Sequence, residues 1–96
     1  MFGKKKVFED LPNTMVLTTK DVIENKRGIL FVSHDADDGM WQFHSGTDVN
    51  MEDAMLVALE EIVELDPTIT AVADLALGWV AWRDDKLSPW KREQSN

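Results

Sequence analysis

"NMEDAMLVALEEIVELDP", residues 50–67, carries the main helix signal of the chain. Asn50 is a good helix cap, and Glu52 and Asp53 follow where the dipole of a first turn favours acids. Apolar side chains at 51, 55, 58, 59, 62 and 65 keep helical spacing. The pattern predicts one long helix over residues 51–65. Asp66-Pro67 then ends it and starts another turn, with Pro at the first helical position and Ile69, Val72 and Leu75 as its buried side.

The segments on either side read as strands. "TMVLTT" (14–19) is rich in β-branched residues, and Thr19 is placed to cap a short helix through "KDVIENK" that Gly28 closes in the left-handed region. "ILFVSH" (29–34) and "MWQFHS" (40–45) make a hairpin around the five-residue loop "DADDG". "WVAWRD" (79–84) follows Gly78 as a last strand. The expected fold is therefore α+β. A small, mostly antiparallel sheet of about four strands carries one long helix packed on it and one or two short helices. Residues 1–96 make a single domain, with 1–13 as lead-in and 85–96 as tail, both loosely held. Trp41, Phe43, Phe31, Met55 and Ile62 are expected in the core. Trp79 and Trp82 differ by an odd number, so a regular strand sends them to opposite faces and only one is core.

The chain has 96 residues, 44% of them hydrophobic and 29% charged, which places it among globular rather than disordered sequences. It lacks Cys, which excludes disulfides, thiolate catalysis and Cys-ligated zinc. No apolar run approaches the ~20 residues needed to span a bilayer. The start lacks the apolar stretch of a signal peptide. A cytoplasmic protein without membrane association is expected.

The net charge of −8 argues against nucleic-acid binding, which depends on neutralising phosphates. Its distribution is uneven. Between Gly28 and Trp82 there is no Lys or Arg, while Asp35, Asp37, Asp38, Asp48, Glu52, Asp53, Glu60, Glu61, Glu64, Asp66 and Asp74 all fall there. All ten basic residues lie outside with the other seven acids, so the flanks are net basic.

"SHDADDGMWQFHSGTD" (33–48) is the best place to look for chemistry. With Gly39 at the sixth position of an EF-hand loop, His34 falls first and Ala36 third, so the pattern fails. With the five-residue loop setting the register, His34 lies opposite Met40 and Leu30 opposite His44. Both imidazoles then share a face, about 13 Å apart at ~3.3 Å per residue, too far for one zinc ion. The other face carries Phe31, Ser33, Trp41 and Phe43. Ser33-His34 and His44-Ser45 are adjacent pairs that a strand splits between faces, so neither makes a nucleophile and base. The expectation is a protein that is not an enzyme and has no cofactor and no metal.

The candidates for function are surface charges and aromatics. Asp35, Asp37 and Asp38 crowd the hairpin tip. On a helix centred on Ile62, Asp53, Glu60 and Glu64 point nearly opposite the core, with Val57 among them. Glu60 and Glu64 are like charges at i, i+4 near a helix C-terminus, which costs tenths of a kcal/mol on both counts (~0.2–0.5 for the pair). Such local conflicts often mark functional sites. Lys86, Lys91 or Arg92 folding back on these acids would be the structural alternative. Whichever of Trp79 and Trp82 is exposed is a further anchor. The reading is a non-catalytic protein-binding module for a basic partner, as a monomer or homodimer. The alternatives are a structural homo-oligomeric module and an acidic surface that serves solubility alone.

"DGMWQFHSGTD", "ELDPTI" and "LGWVAWRDD" together resemble a small bacterial domain family of unknown function, grouped with immunity proteins of polymorphic toxin systems (immunity protein 33-like). The likeness rests on Val16 to Thr18, on Asp38, Gly39, Trp41, Phe43, Ser45, Gly46 and Asp48, on Leu65 to Pro67, and on Gly78 and Arg83. The chain departs at Met40, inserted between Gly39 and Trp41, and at Asp48, where the family pattern has Glu. The resemblance implies a toxin domain as the basic partner and brings no catalytic residues.

Overall fold

The computed structural model describes residues 8–24, 27–46 and 50–95. Its strands are β1 (Met15–Thr19), β2 (Phe31–His34), β3 (Trp41–His44), β4 (Ala54–Ala58), β5 (Trp79–Trp82) and β6 (Lys91–Gln94). Two α-helices, α1 (Lys20–Ile23) and α2 (Leu59–Leu65), and two 3-10 turns at Met51–Asp53 and Pro67–Val72 complete the elements. The six strands form one mixed sheet in the order β4-β1-β3-β2-β5-β6, in which only β1 and β3 run parallel.

This corrects the expected four-stranded sheet under one long helix. The stretch 51–65 is not one helix. It is a 3-10 turn, a five-residue strand and a seven-residue helix. The reason is the demand of β1. Val16 and Thr18 are fully buried there, so β1 is an interior strand whose backbone needs a partner on each side. β3 supplies one, and Ala54–Ala58 supplies the other in antiparallel register along its whole length. Helix propensities differ by only ~0.7 kcal/mol per residue among ordinary residues, so a complete strand pairing overrides them. The apolar residues at 55, 57 and 59 fit a period of two as well as the longer set fits a helix.

α2 starts where β4 stops. Glu60 and Glu61 therefore lie in a first turn, where the helix dipole favours them. Glu61 Oε1 accepts the Ala58 N–H at 3.1 Å; Ala58 has no side-chain oxygen to return the bond. The conflict of Glu60 with the helix dipole is thus absent, while its like-charge pairing with Glu64 at i, i+4 remains. Glu64 alone remains in the last turn.

The hairpin forms, but its loop holds six residues, 35–40, because His34 pairs with Trp41 and Phe31 with His44. A one-residue shift of register exchanges faces. His34 consequently joins Val32, Trp41 and Phe43 on the core face, while His44 lies with Phe31, Ser33 and Gln42 on the outer face. The two imidazoles do not share a face as expected, and Phe31 is only half-buried there rather than in the core. Gly39 takes φ +75° in the loop and Gly78 takes φ +84° before β5; Gly28 does not.

The chain from α2 to Leu75 passes over the core face. Leu59, Ile62, Ile69, Val72 and Leu75 pack there against Val16, Val57, Val32, Trp41, Phe43 and Ala81. Phe8 adds edge-on ring contacts to Trp41 (5.2 Å) and Phe43 (6.5 Å). Trp79 packs half-buried on the core side, and Trp82 faces outward opposite Phe31, as strand parity requires. The tail supplies β6, and Trp90 packs on the core and under the Arg83 guanidinium, 4.2 Å from the ring centre. Arg83 is 4% exposed and Asp66 2%. They form an ion pair at 3.2 Å, and Arg83 also donates to the carbonyls of Ile29 and Lys86. Asp66 additionally accepts from the backbone and hydroxyl of Thr68. No described helix is long and apolar enough to cross a membrane.

Candidate functional site: acids at both ends of the sheet

The predicted site residues do not form one face. Asp37 and Asp38 are exposed at the hairpin tip, where Asp38 accepts the Met40 N–H at 2.9 Å. Asp35 is half-buried and accepts from Gln42 Nε2 at 2.6 Å. Glu60 and Glu64 are exposed on α2, which begins at the end of β4 beside Met15. Asp53 lies at the opposite end of β4, beside Thr19. A single long helix would have aligned Asp53 with Glu60 and Glu64; β4 sets them apart by its own length. Val57 is a core residue, 7% exposed and opposite Val16, so it is no surface anchor. The exposed apolar side chain of that strand is Leu56, at 56%. Trp79 is turned to the core side, and Trp82 lies half-buried on the outer face.

Of the three cations that were the structural alternative for neutralising these acids, Lys91 and Arg92 pair elsewhere, and Lys86 makes no ion pair among the described residues. Arg92 pairs with Asp74 at 2.8 Å, Lys91 with Asp84 at 3.8 Å and Arg83 with Asp66. Among the described residues, no ion pair reaches Asp35, Asp37, Asp38, Asp53, Glu60 or Glu64.

Two concavities lie at opposite ends of the sheet. The larger, of about 540 Å³, opens beside the hairpin. His34 and Trp41 stack at 3.9 Å on its wall, and Glu9, Asp10 and Asp74 bring carboxylates to it. These aromatics are held in place. His34 Nδ1 donates to the Leu75 carbonyl at 2.7 Å, and Trp41 Nε1 donates to Asp10 at 3.1 Å. Leu77, 56% exposed, lines it as well.

The smaller concavity, of about 120 Å³, lies where β1 and β3 end and β4 begins. Thr19 and Ser45 hydroxyls donate to the two oxygens of Asp21, each at 2.5 Å. These bonds, that of Ser45 foremost, hold the Asp21 carboxyl below its ordinary value of 3.8. His44, 2% exposed, also lines it. Burial pushes its imidazole below the ordinary 6.5, against the opposing pull of Asp21 and Asp35. Sequence reasoning missed this cluster because Asp21 was read only as part of a short helix. The one signal was "HSG" ending a strand beside another that ends in "TTKD".

Chemically, both places offer acceptors and negative charge. Ser45 Oγ is engaged by Asp21 and His44 Nε2 by Gln42, so the hydrogen bond that joins a nucleophile to its base is not made between them. No group of three or more His, Asp or Glu among the described residues is arranged to hold a metal ion. Residues 1–7 of the lead-in and Asp48 of the family-like motif lie outside the described residues. No protein-family model, curated protein or solved structure matches the chain.

Proposed function

We propose that this chain is a non-catalytic binding module that docks a basic protein partner through its unneutralised acids. The observation that carries the reading is the allocation of cations: the described ion pairs of Arg83, Lys91 and Arg92 go to Asp66, Asp84 and Asp74. Exposed Glu60 and Glu64, the hairpin-tip acids and half-buried Asp53 are left to act outward. Such charges steer encounter and select partners of opposite sign. The likeness to immunity proteins rests on its quoted motifs, and a toxin domain is the partner it implies. A cytoplasmic location is part of the same proposal.

The test is association of the purified chain with a partner captured from the source cell, followed at increasing salt. Binding slows markedly as salt rises, and Glu60→Gln with Glu64→Gln slows it at low salt while leaving the fold intact. Salt-independent association that ignores the double variant would refute the docking surface.

One observation favours a second reading, a homo-oligomeric module. Met15 and Leu56, 49% and 56% exposed, lie on the outer sheet face near the free edge of β4. Light scattering on the parent and Leu56→Glu separates the readings, since only an oligomer loses mass in the variant.

A further inference from the structure

Among the described residues, His44 Nδ1 is a buried side-chain polar atom without a hydrogen-bond partner. Its state follows from its neighbours. Gln42 donates its amide nitrogen to Asp35 at 2.6 Å, so its amide oxygen is the end that meets His44 Nε2, at 2.9 Å. An amide oxygen only accepts, so Nε2 carries the proton. In the neutral ring that burial favours, Nδ1 is then a bare lone pair. It is the ring's one unpartnered polar atom, and His44 is among the residues that line the small cavity.

Two carboxylates share the lining, beside the Asn50 side chain whose amide oxygen accepts the Glu52 N–H. Asp21 accepts one hydroxyl proton on each oxygen, and a carboxylate has further lone pairs to offer. Asp53 adds a second carboxylate, and among the described residues no Lys or Arg lines the cavity. Arg27 acts on Asp21 through charge alone, without an ion pair among the described residues. The cavity of about 120 Å³ has room for about four waters at ~30 Å³ each. Acceptors, two carboxylates and a lone pair call for a group that only donates and carries positive charge. A metal ion is the poorer fit, because no set of three ligating side chains converges there among the described residues.

We propose that this cavity is a socket for the guanidinium of an arginine on the basic partner. The planar fork pairs two N–H groups with a carboxylate and has others left for the His44 lone pair. The inference rests on the docking reading and names the side chain that this end of the sheet receives.

The test is a titration of the full chain with methylguanidinium chloride, read by the ¹⁵N resonances of the His44 ring. N-methylurea serves as the neutral isostere and sodium chloride as the ionic-strength control. A saturable shift of Nδ1 with methylguanidinium is expected. Binding should be about tenfold weaker or more for N-methylurea, and likewise for Asp53→Asn at the cavity's rim, because charge-assisted bonds are lost in both cases. No saturable shift, or equal responses to the two probes, would overturn the socket. Glu60→Gln with Glu64→Gln lies away from the cavity and should leave this titration unchanged. A failed socket with salt-steered partner binding intact would therefore sink only this inference.

Discussion

Two polar clusters are buried on opposite sides of the same sheet, and they are finished differently. Around Arg83 and Asp66, the guanidinium meets two carbonyls, a carboxylate and the Trp90 face, while the carboxylate meets Thr68 twice. Around His44, one ring nitrogen is tied through Gln42 to Asp35 and the other has no partner. Both are almost wholly enclosed, so burial does not separate them. Completion does. A completed cluster binds the tail to the turn after α2 and serves the fold. An incomplete one costs stability and is suited to a ligand.

Cutting the completed cluster should have the largest effect. Arg83→Met leaves the Asp66 carboxylate buried without its cation, and urea unfolding should show a loss of ~3–5 kcal/mol. His44→Phe should keep stability within ~1 kcal/mol of the parent or raise it, since a half-satisfied polar group is removed. If the two variants lose equal stability, the contrast between the clusters fails.

A smaller effect should appear with pH. His44 titrates below 6.5 when folded, so the unfolded chain takes up its proton first as pH falls. Its contribution is full above 6.5 and is lost as pH drops through that value toward the folded one. The urea midpoint of the parent should fall between about pH 7.5 and about pH 5 by more than that of His44→Phe. Asp21, held below 3.8, loses its contribution the same way only in stronger acid, below that value. The smallest effect is on α2. Glu60→Gln in its first turn should cost ~0.3–1 kcal/mol, while Glu64→Gln in its last turn should be neutral or slightly stabilising. Equal losses at both positions would argue against a helix that begins at Leu59.

These contrasts also explain what was legible in the sequence. The hairpin, the parity of Trp79 and Trp82, and the Asp66-Pro67 turn depend on local chemistry, and each is found. The strand at 54–58 depends on β1, 35 and more residues away, needing a second partner. Periodicity within 51–65 holds no trace of that demand. The small cavity was hidden for two reasons. It joins Asp21 to Ser45 across strands whose parallel pairing no local pattern announces, and Asp53 reaches it only because residues 54–58 form a strand beside β1. The unpaired acids were visible as a charge pattern, but their division between the two ends of the sheet required β4.

The most direct measurement is the long-range ¹H–¹⁵N spectrum of the histidine rings in the free protein near neutral pH. His44 should appear neutral, protonated on Nε2 and bare on Nδ1, whereas His34 should carry its proton on Nδ1. A His44 ring protonated on Nδ1, or on both nitrogens, would contradict the account of an unpartnered acceptor at this end of the sheet.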